Sequence, residues 1–212
     1  YHLPADYPAE YIARLAKDLS GRTWLGDAIL LAPRELAGTF AAHYSGPAQI
    51  YLAPATEEEL AAVAGQHRRL ILVLGDPSAG AGQEGDQAQP WLNQHGFLAA
   101  HEWADSLQVL TYGASPSPAT TPAVEVQATL GDRITLVGYD LPATTWGAGD
   151  IMPLTLFWQR VGPASEDYRV FVHLLDGSGQ LVAQTDSAPG GGSRPTSTWP
   201  DGELVVDRHG LS

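Results

Sequence analysis

Apolar positions in the first half of the chain recur every three or four residues and are punctuated by short continuous apolar runs; in the second half they recur every second residue. These are the periods of helix and strand respectively. Tyr11, Ile12, Leu15, Ala16 and Leu19 fall on one helical face over residues 9–19, with Asp6 placed to cap the first turn. Residues 28–32 read as a buried strand, and Leu36, Phe40, Ala41 and Tyr44 as a second amphipathic helix ending near Gly46. Residues 49–52 give another strand. Thr56 and Glu59 form a capping box that opens a third helix through Leu60, Val63 and His67. Leu70 to Leu74 is the most strongly β-like run, and a short helix over residues 87–95 stops at Gly96. Residues 97–103 and 107–112 read as a closing hairpin. Strands alternating with helices predict a parallel sheet covered on both faces.

Residues 114–122 (ASPSPATTP) have no apolar period and read as a linker. Beyond them, Val124, Val126, Ala128 and Leu130 alternate with polar residues, as do Met152, Leu154, Leu156 and Trp158, and Tyr168, Val170, Val172 and Leu174. Asp176-Gly-Ser-Gly179 supplies a tight turn into residues 180–186. Some six short strands with Gly/Pro-rich turns predict an antiparallel sandwich, jelly-roll or immunoglobulin-like. The expected organisation is α/β plus all-β: a Rossmann-like α/β domain over 1–113, a linker over 114–122 and a β-sandwich over 123–212. The chain's last six residues, read as following a turn, make that sandwich look truncated.

Charge narrows the function. Eleven basic residues face 24 acidic ones, a net charge of −13, and Lys17 is the sole lysine. Nucleic-acid binding relies on clustered Lys and Arg, so no nucleic-acid partner is expected. No apolar stretch approaches the ~20 residues of a membrane helix, so no insertion by this chain is expected. Cysteine is absent, which removes disulfides, thiolate metal sites and cysteine nucleophiles.

Candidate chemistry is sparse. Gly80-Ala-Gly-Gln-Glu-Gly85 matches the dinucleotide fingerprint, with Asp105 twenty residues beyond it. It follows the third strand instead of the first, and Asp76, Glu84 and Asp86 put negative charge where a pyrophosphate needs positive potential, so it reads as a loop. The seven histidines form no H-x-x-x-H pair, and G-x-S-x-G is absent. Neither cofactor, metal nor catalytic residue is therefore assigned; Asp150, Asp176 and Asp186 read as turn residues. The aromatic residues of the second half carry more. Tyr139, Trp146 and Trp199, with Asp140 and Asp186, have the composition of a carbohydrate site, aromatic faces for pyranose rings and carboxylates for hydroxyls. Core packing is the competing reading for Trp158, and an even alternative for Trp146 and Trp199.

Residues 134–141 (ITLVGYDL), Gly149-Asp150 and 154–159 (LTLFWQ), then 167–176 (DYRVFVHLLD), 184–186 (QTD), Pro189-Gly190, Pro195-Thr196 and Trp199, form a series. It resembles the C-terminal soluble region of bacterial phospholipid-carrier-dependent membrane glycosyltransferases of the dolichyl-phosphate-mannose mannosyltransferase type. The first half is similar to the soluble α/β segment that precedes this region. The matching motifs are strand-and-turn signatures, so no catalytic position is carried over. The resemblance implies a non-catalytic, extracytoplasmic part of a membrane-anchored parent that uses a lipid-linked sugar donor. Such a part assists acceptor or glycan binding, or supports the structure. A free-standing carbohydrate-binding module is the alternative.

Overall fold

The computed structural model describes residues 7–54, 56–75, 87–115, 118–131, 133–143, 145–147, 149–162 and 166–212. The Asp6 cap and the Gly80–Gly85 run lie outside the described residues. The chain divides into two compact units, Tyr1–Leu92 with Ala100–Pro116, and Asn93–Ala99 with Ser117–Ser212.

In the first unit, α1 (Ala9–Arg22) buries Ile12, Leu15, Ala16 and Leu19, the stripe its period predicts. It is followed by β1 (Asp27–Leu31), α2 (Leu36–His43), β2 (Gln49–Leu52), α3 (Glu57–Gln66) and β3 (Arg69–Leu74). The Thr56 hydroxyl accepts a hydrogen bond from the Glu59 N–H at 3.2 Å and so starts α3. β1 lies between β2 and β3, parallel to both, and all five of its residues are buried. A strand buried on both faces needs an uninterrupted apolar run, which Ala28 to Leu31 provide. Asp27, at its start, is held by Arg69 at 2.5 Å and accepts the Trp24 N–H at 2.7 Å. α4 (Ala88–His95) leads into β4 (Phe97–Ala104) and β5 (Leu107–Gly113), and β5 pairs antiparallel with β3. Side chains of α1, α2, β1, β3 and β5 close one core, with Phe40, Leu31 and Val73 at full burial.

In the second unit, β6 (Val124–Leu130), β7 (Ile134–Asp140), β8 (Met152–Arg160) and β11 (Leu204–Leu211) pair antiparallel in the order β6-β7-β8-β11. β9 (Val170–Leu175) and β10 (Leu181–Ser187) form a separate two-stranded ladder joined by the Asp176–Gly179 turn. Ile134, Leu156, Trp158, Trp199 and Val205 make the buried core, with Val170 and Val172 of β9 packed on it.

The expected fold class is overturned. Nine strands hydrogen-bond in a single mixed order, β2-β1-β3-β5-β4-β11-β8-β7-β6, and only β9 and β10 stand apart. The sheet is therefore not a small parallel α/β sheet followed by an antiparallel sandwich. Two features defeat that expectation. β5 closes on β3 antiparallel, and residues 207–212, read as an abrupt end after a turn, fall largely within β11 (Leu204–Leu211), a strand between β8 and β4. Asp207, Arg208 and His209 break the apolar alternation of that strand, yet Asp207 and His209 are buried and bond each other. Pattern reading sees such polar residues as loop, because it cannot see that the two bond each other when buried. β6 departs too. All its residues are exposed, and a bulge at Val126-Gln127, with Gln127 at φ 56°, breaks the expected alternation.

Candidate functional site

The second unit contains a cavity of about 350 Å³. It is lined by Trp158 of β8, by Trp199, and by Leu130, Gly131 and Ile134 of β6, β7 and their connection. Tyr168, Arg169, Val170 and Phe171, at and just before the start of β9, also line it, with Pro189 and Thr196. The β6–β7 turn closes through an Arg133 N–H bond to the Leu130 carbonyl at 3.3 Å, with Gly131 at φ 56°, where a side chain is strained.

The segment from Ala188 to Trp199 is rich in Gly, Pro and Ser, and the sheet fixes it. Gly190 donates its N–H to Asp207 Oδ1 at 2.8 Å. The same carboxylate accepts Trp158 Nε1 at 3.2 Å and bonds His209 Nε2 at 2.7 Å. Gly190 and Gly191 adopt φ 63° and 62°, a conformation that suits glycine. Trp199 Nε1 donates to the Arg194 carbonyl at 3.0 Å, and Arg160 Nη1 donates to the Trp199 carbonyl at 2.6 Å. Thr196 ties its segment to the chain entering β9: its hydroxyl accepts from Tyr168 N–H and donates to the Glu166 carbonyl, both at 2.9 Å. Asp167 accepts the Ser197 N–H at 3.0 Å. The Ser197 hydroxyl and N–H together hold the Asp167 carboxyl below the usual carboxylate range. These bonds preform the cavity, so a ligand need not order it.

The tryptophans and the mouth differ in accessibility. Trp199 is 2% exposed, whereas Tyr168 is 40% and Phe171 65% exposed. Beside Phe171, Arg169 Nε donates to Asp186 Oδ1 at 2.8 Å, and this pair is open to solvent. Two aromatic rings and a guanidinium–carboxylate pair thus share the entrance.

Of the five residues expected to form a carbohydrate site, the structure brings two to this cavity. Trp199 lines it and Asp186 is bonded to a lining residue. Tyr139 and Asp140 lie at the far end of β7 from Ile134, about 17–20 Å along the strand at ~3.3 Å per residue. Tyr139 packs half-buried against the core, Asp140 faces Thr155 in register, and Trp146 lies half-buried in the β7–β8 connection. Tyr168, Arg169 and Phe171 were not expected. The available signal was Phe171 itself, a large aromatic at an outward position of an alternating strand. Asp105, the acidic partner proposed for the glycine run, sits in the β4–β5 turn at φ 56°, paired with Arg14 at 3.3 Å. Among the described residues, no three His, Asp or Glu side chains gather at metal-binding distance, and no helix is long and apolar enough to cross a membrane. No family model matches the chain, and no match is found among curated proteins or solved structures.

Proposed function

We propose that this chain is a non-catalytic, extracytoplasmic region of a membrane glycosyltransferase that uses a lipid-linked sugar donor, and that its second unit assists the binding of the glycan or acceptor. One observation supports the binding role: exposed Tyr168 and Phe171 stand beside the solvent-facing Arg169–Asp186 pair at the mouth of a preformed cavity. Aromatic rings present a flat apolar surface to the C–H face of a pyranose, and a guanidinium–carboxylate pair donates to and accepts from its hydroxyls. The parent enzyme is inferred from the sequence resemblance alone.

The binding role is tested by titrating mono- and disaccharides into the isotope-labelled chain. Amides of Tyr168, Arg169 and Phe171 should shift saturably, and Phe171→Ala should abolish the shifts. Silence across the saccharide panel would refute the glycan role. The parent is tested by the reading frame upstream of Tyr1, which should encode several membrane helices. A frame without them leaves the free-standing carbohydrate-binding module as the surviving alternative, because the same mouth would serve it.

A further inference from the structure

We infer that the chamber behind this mouth is a binding site for an uncharged apolar ring, distinct in chemistry from any glycan held at the entrance. The inference uses the same cavity as the proposal above but does not depend on its glycan. Size comes first. At about 350 Å³ the cavity lies within the range of small-molecule sites, at its lower end. That is enough for a one- or two-ring hydrocarbon body.

The inner polar groups decide the class of ligand. Trp158 Nε1 is given to Asp207, and Trp199 Nε1 to the Arg194 carbonyl. The Thr196 hydroxyl already makes two hydrogen bonds. The donors of Trp158, Trp199 and Thr196 are therefore spent within the protein, while the side chains of Ile134, Val170 and Pro189 offer only carbon. A sugar pushed into the chamber would leave hydroxyls unpaired at roughly 1–3 kcal/mol each. An apolar ring leaves nothing unpaired, and covers apolar surface that Leu130 and Phe171, 56% and 65% exposed, now present to water.

Charge is excluded from both sides. An anion would have to displace Asp186 from Arg169, in a chain of net charge −13. A cation would enter past the Arg169 guanidinium and lose its hydration with no carboxylate among the described lining residues to replace it.

The test uses the neutral fluorophore N-phenyl-1-naphthylamine with the whole chain. Emission should rise saturably with one site per molecule. Leu130→Asp and Phe171→Asp alter exposed lining residues and should retain the fold by circular dichroism, yet weaken the probe at least tenfold. Val182→Asp, an equally exposed position of the β9–β10 hairpin outside the lining, should leave it unchanged. Displacement by tert-butylbenzene should be at least tenfold stronger than by phenyltrimethylammonium, its cationic isostere, or by benzoate. Absence of saturable binding, equal binding in all three variants, or equal or stronger displacement by a charged competitor would each overturn the inference. Saccharide titration separates the two claims. Saccharide shifts without probe binding sink this inference alone, and probe binding without saccharide shifts sinks only the glycan role.

Discussion

Asp207 sits at 0% exposure with three protein groups around its carboxylate, Trp158 Nε1, Gly190 N–H and His209 Nε2. Its removal strands all three in a site that water does not reach. Asp207→Ala should therefore cost about 3–5 kcal/mol in chemical denaturation, the range for breaking a buried pair from one side. It should also release the Gly190–Gly192 turn, seen as faster amide exchange there. Gly138 is a second residue whose identity follows from geometry: a Cβ would lie 2.2 Å from the Val124 carbonyl oxygen and 2.7 Å from the Pro122 Cβ. The nearer obstacle is backbone, so the clash cannot be relieved by a rotamer change. Gly138→Ala should force β6 away from β7, and the loss of cross-strand contacts between Val124 and Tyr139 in proton spectra measures it.

Among the elements, the β9–β10 hairpin hangs on one carboxylate. Asp176 Oδ1 accepts from Ser178 N–H, Ser178 Oγ and Gln180 N–H, at 2.7 to 2.9 Å. Those bonds, the Ser178 hydroxyl first, hold its carboxyl below the usual range. A carboxylate whose folded value is depressed stabilises the fold above its unfolded value of about 3.9, and that contribution is lost as pH falls through the folded value. The turn should hold at pH 5 and loosen below about pH 3.9, with Ser178 and Gln180 amides exchanging faster. Asp176→Asn keeps an acceptor oxygen and should remove that pH dependence. Such a turn is legible from sequence because Asp, Ser and Gly act through their own neighbours. The α1 stripe, the α3 cap and the continuous run of β1 are legible for the same reason. Pairing between distant segments is not. Nothing local to Leu107–Gly113 says that it lies antiparallel to β3, and nothing local to residues 204–211 says that a His and an Asp will be buried together. The site divides along the same line. Trp199 and Asp186 are visible as residue types, whereas the partnership of Arg169 with Asp186 needs the β9–β10 register, in which Asp186 faces Phe171.

At the scale of the molecule, hydrogen-bond order and core membership divide the chain differently. Nine strands follow one another in a single sheet order, and β4 passes from one compact unit to the other between Ala99 and Ala100. Among the described residues, the buried cluster of Leu19, Phe40 and Ile71 lies wholly in the first unit, and that of Trp158, Trp199 and Val205 wholly in the second. Burial of apolar surface, more than sheet hydrogen bonding, supplies most of the net stability, so cooperativity should follow the cores and not the sheet. Asp207→Ala provides the test, because Asp207 and the three groups it bonds all belong to the second unit. Native-state hydrogen exchange should show lowered protection in β7, β8 and β11 while β1 and β3 keep their wild-type values. An equal loss of protection in β1 and β3 would mean that the defect is transmitted along the chain, which then opens as one cooperative body.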